Sequence, residues 1–238
     1  MVGVLTRGGG ALSPATGPAA GPAGPEPGPL LTEADLLGPL DVVAPALLGC
    51  WVVTDRPEGT VAVRLTEVEA YSGAGDDPAA HSHRGPTPRS AVMFGPPGHL
   101  YVYFSYGVHW CANVVIGPAG HGSAVLLRAG EVVAGVDVAR ARRPATSSLR
   151  DLARGPARLT SALAIGPDDR DAWLLSPDSS VRLHRGTAPA SVTAGPRVGI
   201  SKAADLPWRF TETGAATVSA FRSGVRPRRR GAGQDGAP

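Results

Sequence analysis

Side chains able to move protons crowd into one part of the chain. Glu67, Glu69, Asp76, Asp77, His81, His83, His99 and His109 all fall in a single stretch, with Arg128 not far beyond. His81-Ser82-His83 has a spacing found in zinc sites, but the carboxylates near it stand at no fixed ligand interval. Loop histidines making ordinary hydrogen bonds are therefore the better reading, and no metal is expected. No Gly-x-Ser-x-Gly is present, and neither Cys50 nor Cys111 has a histidine at the spacing of a thiol nucleophile. What remains is carboxylate acid–base chemistry. Glu67 and Glu69 are the candidates, and the pattern alone does not choose between them.

Aromatic side chains gather beside these acids. Of four tyrosines, three lie in the run Tyr101-Val102-Tyr103-Phe104-Ser105-Tyr106. Two β-rich runs flank Ser105-Tyr106-Gly107, which predicts a hairpin with Tyr106 at its tip. Side chains alternate along a strand, so Tyr101 and Tyr103 share one face and Val102 and Phe104 the other. Such tyrosines can pack on a neighbouring helix, or serve as a wedge and stacking wall for a nucleobase.

The elements that must hold these groups follow from local pattern. Thr32-Glu33-Ala34-Asp35 predicts a helix N-cap with an acidic third position, and Asp41 a cap for a second short helix ended by Gly49. Strands are expected at residues 50–54 and 60–71 around a turn at residues 56–59. In the second, Val61, Val63, Leu65, Glu67, Glu69 and Tyr71 would share a face that begins apolar and ends in two carboxylates. A buried carboxylate without a partner is costly, so a cleft or a cation is expected there. The irregular stretch 72–98 is long enough to be functional. A strand is expected at 123–128, a helix over 131–143 stopped by Pro144, and a helix from Gly155-Pro156 through Leu159, Leu163 and Ile165 to Gly166. Short strands are expected at 173–175, 181–184, 197–200 and 209–219.

The chain has 238 residues, enough for one domain, and 42% hydrophobic residues supply its core. Gly 32 and Pro 24 are concentrated at the ends. Residues 1–29 are therefore expected to be a disordered tail, 30–221 the folded domain and 222–238 a basic disordered tail. Formal charge is only +3, but the pI of about 9.2 and a single lysine, Lys202, among many arginines favour a polyanionic partner. No run approaches the ~18 apolar residues of a membrane span, and the N-terminus lacks the pattern of a signal peptide. A reduced, cytoplasmic protein is the expectation.

An ordered series of short motifs then narrows the reading. Glu67-Val68-Glu69-Ala70-Tyr71, Ala79-Ala80-His81-Ser82, Thr87-Pro88-Arg89, Met93-Phe94, Pro97-Gly98 and the stretch 100–113 follow one another. Val125-Leu126-Leu127-Arg128-Ala129, Gly155-Pro156-Ala157-Arg158-Leu159 and Arg197-Val198-Gly199-Ile200 complete it. Over about residues 30–220 the chain resembles the alkyladenine (3-methyladenine, methylpurine) DNA glycosylases of base-excision repair. The resemblance implies a single mixed α+β domain with a curved, mostly antiparallel sheet and a hairpin that enters the DNA minor groove.

By the same resemblance, Glu69 activates water against the sugar C1′ and Arg128 holds that water and carboxylate. Tyr71, His81 and Tyr103 stack on the flipped base, and Asn113 screens purines at the pocket floor. Tyr106 intercalates, Met93 probes the duplex beside the gap, and Arg89 contacts phosphate. Val68, His83-Arg84 and His109 depart from the family pattern and bear on which bases the pocket prefers. The implied enzyme is a monomer without cofactor that acts on double-stranded DNA carrying damaged purines. Two rivals are a catalytically dead DNA-binding module of this fold, which would lack Glu69 or Arg128, and a metal hydrolase using His81 and His83.

Overall fold

The computed structural model describes residues 26–73, 75–105, 107–146 and 148–225. Tyr106, most of the Gly/Pro-rich start and residues 226–238 lie outside them. Eight strands form one sheet in which every pairing is antiparallel: β1 (Trp51–Arg56), β2 (Gly59–Tyr71), β3 (Leu100–Ser105), β4 (His109–Ile116), β5 (Ser123–Ala134), β6 (Val181–His184), β7 (Val192–Gly195) and β8 (Arg209–Glu212). The main path runs β3-β4-β5-β2-β1-β6, with β7 and β8 attached through β2. Among the described residues four short α-helices, α1 (Glu33–Leu36), α2 (Leu40–Ala46), α3 (Val136–Ala141) and α4 (Pro156–Leu163), complete a mixed α+β fold with a curved sheet.

β2 is the axis of the molecule, and its ladder is divided. Gly59–Arg64 pairs with β1, Glu67–Glu69 pairs with β8, and its other edge runs along β5. Between the two segments the register with β5 shifts at Leu65–Glu67, the mark of a β-bulge. One extra residue inverts the side-chain alternation. Val61, Val63 and Leu65 enter the main core before the bulge, and Val68 and Ala70 enter it afterwards. The expected single face from Val61 to Tyr71 is thus corrected: Glu67 and Glu69 are on the face opposite the core. The bulge residue, Thr66, is 1% exposed and shares a hydrogen bond of 2.8 Å with Thr217.

That inversion sorts the whole sheet. Val102, Ala112, Val114, Val125 and Leu127 join the core on one face, with Leu159 and Leu163 of α4, Val43 of α2 and Leu47 and Leu48 just after it. On the other face, register aligns Tyr101 with Asn113, Asn113 with Leu126, Leu126 with Glu69 and Glu69 with Arg209. A single rung across five strands therefore carries polar and aromatic groups that local sequence keeps far apart.

Several local expectations change. Asp41 lies inside the first turn of α2, whose N-cap is Pro39, while α1 has the expected Thr32–Asp35 capping box. The expected helix 131–143 is two elements. Glu131, Val132 and Ala134 continue β5 by pairing with Arg64, Val63 and Ala62, and only Val136–Ala141 is helical. Pairing with β2 outweighs the weak helical preference of the valines. Gly135 (φ +69°) makes the break, and a Cβ there would meet the Thr60 carbonyl oxygen at 2.0 Å. α4 ends at Leu163 with Ala164 as its C-cap, before Gly166, and Ile165 is buried just beyond it. Residues 173–175 make only an isolated bridge from Trp173 to His99, and 197–200 is loop. β8 stops at Glu212, and its partner β7 was not legible in the pattern.

Candidate active site

Glu67 and Glu69 are both fully buried, yet their surroundings differ in kind. Glu67 accepts from Arg128 Nε at 2.7 Å, Arg209 Nε at 2.8 Å, the Ser219 amide at 2.6 Å and Ser219 Oγ at 2.9 Å. Three of these donors converge on Oε1 and the Ser219 amide takes Oε2, so two guanidinium groups and a serine hold the carboxylate. Burial alone would raise its proton affinity. The charge of Arg128, the Ser219 amide and Arg209 outweigh that and hold it below the usual carboxylate range.

Glu69 accepts from the Val198 amide at 2.6 Å, Tyr71 OH at 3.0 Å and Arg128 Nη1 at 3.2 Å. Three donors leave one acceptor position, on the oxygen that faces Val198. Burial pushes the Glu69 carboxyl up, and Arg128, the Val198 amide and Tyr71 only partly offset it, with Glu67 adding like-charge repulsion. The two acids are thus driven apart: Glu67 is a committed anion and Glu69 is poised to exchange a proton. Arg128, 6% exposed, bridges them, and the two carboxylates keep its proton more firmly bound despite burial.

These groups back a cleft of about 760 Å³. Tyr71, His81, Arg89, Met93, Tyr103, Asn113 and Arg128 all line it, together with Val198 and Arg222. Glu69 lies one layer behind, covered by Tyr71, Arg128 and Val198. Every described residue to which the resemblance gave a role is therefore in or directly behind one cavity. Tyr106 lies outside the described residues.

The walls are aromatic. Tyr101 and Tyr103 stack with ring centroids 5.4 Å apart, and His81 meets Tyr103 edge-on at 4.5 Å. Tyr101 OH lies 3.0 Å from His81 Nδ1. Partial burial and the nearby Arg89 lower the proton affinity of His81, so its ring is neutral at neutral pH. Burial raises the phenols of Tyr71 and Tyr103, which stay protonated. Asn113 donates Nδ2 to the Tyr101 carbonyl at 3.1 Å, which fixes its carboxamide at the cleft floor. Met93 is only 3% exposed, packed with Tyr101, Val115 and Ala124. Arg89 extends over the Tyr103 ring at 5.1 Å.

Charge at the rim has one sign. Arg89, Arg128, Arg154, Arg158 and Arg222 line the cleft, and no aspartate or glutamate does among the described residues. His81 and His83 join no group of three potential metal ligands among the described residues.

Local pattern missed several supports. Arg197, 1% exposed, pairs with buried Asp77 and stacks its guanidinium 4.6 Å from the Tyr71 ring centroid. It joins loop 72–98 to the segment behind Tyr71, and removing either partner of such a buried pair costs about 3–5 kcal/mol. Arg197-Val198 stood among the motifs without a role, and Arg209 and Ser219 carried no signal at all. Their importance comes from β8 and the following segment arriving at the bulge.

Similarity to known proteins supplies the family. A family model described as methylpurine-DNA glycosylase (MPG) matches residues 35–216. A Frankia casuarinae protein named "Putative 3-methyladenine DNA glycosylase" is 54% identical over 201 residues, covering 80% of this chain and 92% of its own. Proteins of the same name from Nocardia farcinica (53% identity, 76% of this chain, 87% of its own) and Streptomyces avermitilis (46%, 84% and 95%) are also similar. No described helix is long and apolar enough to cross a membrane. With the match spanning the sheet, the cleft and both buried acids, the chain belongs to the methylpurine-DNA glycosylase family.

Proposed function

We propose that the protein is a monofunctional DNA glycosylase that extrudes an alkylated or deaminated purine from double-stranded DNA and hydrolyses its N-glycosidic bond with water activated by Glu69. The observation that carries this reading is the contrast between the two acids: all three donors to Glu69 (Tyr71, Arg128 and Val198) line the cleft, whereas Glu67 is tied to Arg209 and Ser219, which do not, and Glu69 keeps an acceptor position on the oxygen bound to Val198. A water donating to that position passes its proton to Glu69 as its oxygen bonds to C1′. The electron pair of the breaking C1′–N bond leaves with the base.

The transition state is oxocarbenium-like, so the Glu69 anion also stabilises the sugar. Arg128 keeps that carboxylate oriented. An undamaged base stays in the stack because extrusion costs a few kcal/mol, least for damaged or mispaired bases. Stacking on Tyr71, His81 and Tyr103 offsets that cost by roughly 1–3 kcal/mol per base. Neutral phenol faces favour cationic bases such as 3-methyladenine through cation–π attraction, and a cationic base leaves without further protonation. Asn113 screens the purine at the floor, Tyr106 fills the vacated stack, Met93 probes beside the gap, and Arg89 contacts phosphate. The protein works as a monomer without cofactor.

The experiment is incubation of the protein with alkylated double-stranded DNA, with released bases identified by chromatography. Glu69→Gln keeps shape and hydrogen bonding but cannot take a proton. It is expected to bind lesion DNA like wild type and to lose at least about 10²-fold in single-turnover excision of neutral lesions. Retention of wild-type rates in Glu69→Gln would overturn the assignment.

A further inference from the structure

Both protein groups that hold Glu69 in place, apart from Tyr71, are themselves held by the segment 217–224. Ser219 donates its amide and hydroxyl to Glu67, which grips Arg128 Nε, and Arg209 Nη2 ties back to the Ser219 carbonyl at 2.7 Å. Farther along, the Arg222 carbonyl accepts from the Gly199 amide at 2.8 Å, next to the Val198 amide that binds Glu69. Contact there is close: a Cβ on Gly224 would lie 2.4 Å from the Gly199 carbonyl carbon and 2.5 Å from the Ile200 carbonyl oxygen. Thr217 anchors the start of the segment on the bulge residue Thr66, and Arg154 Nε donates to the Val218 carbonyl at 2.8 Å. The match to the family model ends at residue 216, before this segment begins.

We propose that residues 217–224 form a positioning strap for catalysis, with Ser219 and Glu67 as positioning residues that aim Arg128 at Glu69 and with Gly224 letting the strap seat against the loop carrying Val198. The proposal rests on Glu69 being the base. Of the residues that bind Glu67, only Arg128 lines the cleft, so the four donors spent on Glu67 make sense as a clamp on Arg128. Deep burial of a charge with this many partners offers little net stability over an apolar residue, which leaves geometry as its use.

Four variants test it in single-turnover excision, with Glu69→Gln run beside them. Ser219→Ala and Gly224→Ala are expected to slow excision about tenfold while affinity for undamaged DNA stays within about twofold, and Ser219→Thr restores most of the rate. Glu67→Gln adds a reading that a merely structural role would not move. Glu69 is faced by Arg128 and the buried Cys111 across the sheet, Tyr103 from β3, Arg209 from β8, and Tyr71 and Glu67 on its own strand. Removing the Glu67 charge removes repulsion, so the acid limb of the excision rate moves to lower pH.

Wild-type rates in Ser219→Ala and Gly224→Ala, equal losses in Ser219→Ala and Ser219→Thr, or an unmoved acid limb in Glu67→Gln would each overturn the strap. If Gly224→Ala does not fold, the Ser219 pair decides. Failure of the strap alone leaves Glu69→Gln inactive, whereas failure of the proposed function leaves Glu69→Gln active.

Discussion

At the scale of residues, identical side chains one strand step apart are made chemically different by their donors. Glu67 and Glu69 share strand, burial and a bridging arginine, yet one is held below and the other above the ordinary carboxylate range. The consequence for pH can be worked through by sign. Glu69 must be deprotonated to act, so excision of neutral lesions is present above its raised pKa and lost as pH falls through it, at a pH above the ordinary ~4.3 of a glutamate. Folding stability from Glu67, whose pKa is depressed, is present above ~4.3 and lost only as pH falls toward its lower folded value. Ionising Glu69 slightly disfavours the fold, so its own protonation does not unfold the protein. Single-turnover rates and circular dichroism followed together down the acid range should show excision failing while the fold persists. Coincident loss of both would mean that unfolding, not Glu69, sets the limb.

At the scale of elements, one bulge decides which face of β2 meets the core. Before Thr66 the odd-numbered side chains are buried in the main core, and after it they lie on the opposite face, where Tyr71 lines the cleft and Glu69 sits behind it. Deleting Thr66 would restore simple alternation and drive Glu67, Glu69 and Tyr71 into the apolar core in place of Val68 and Ala70. Burying two carboxylates without their arginine would exceed the 5–15 kcal/mol that typically holds a domain together. The deletion variant should not fold, as read by thermal denaturation. Thr66→Val keeps the bulge and leaves Thr217 Oγ1 without its partner, so it should fold with a loss of about 1–3 kcal/mol. A folded, active deletion variant would show that the bulge is incidental.

At the scale of the whole molecule, cationic charge is collected around one opening and acidic charge is kept behind it. Arginine supplies nearly all of it, and a guanidinium does not act as an amine nucleophile. Strand cleavage after base removal needs an amine to form a Schiff base with C1′. Lys202, the one lysine of the chain, is not among the residues that line the cleft. Borohydride added during turnover on lesion DNA should therefore trap no covalent protein–DNA adduct. A clear adduct would replace the water mechanism with an amine one. The arginine rim also predicts that DNA affinity falls steeply with salt, as bound counterions are released.

How much of this was legible in the sequence follows from the range over which each signal acts. The alternation of Tyr101, Val102 and Tyr103 is a property of neighbouring residues, and β3, paired with β4, puts Val102 in the main core and Tyr101 and Tyr103 in a separate cluster. The Glu67-to-Tyr71 and Arg197-to-Ile200 motifs were visible as spacing, and so was the collection of aromatics and acids in one stretch. The inversion of β2 was not, because a bulge is set by how β5 and β8 pair with the strand and not by its own residues. The division of β5 from α3 depended on Val63 and Ala62 offering partners to Val132 and Ala134. Most of all, the sequence determined that two glutamates would compete for one role, since they carry the same chemistry two residues apart. Only the tertiary structure decided between them, because a carboxylate's proton affinity and free acceptor positions are set by the donors that reach it, and those of Glu67 and Glu69 arrive from Arg128, Val198, Arg209 and Ser219, far along the chain.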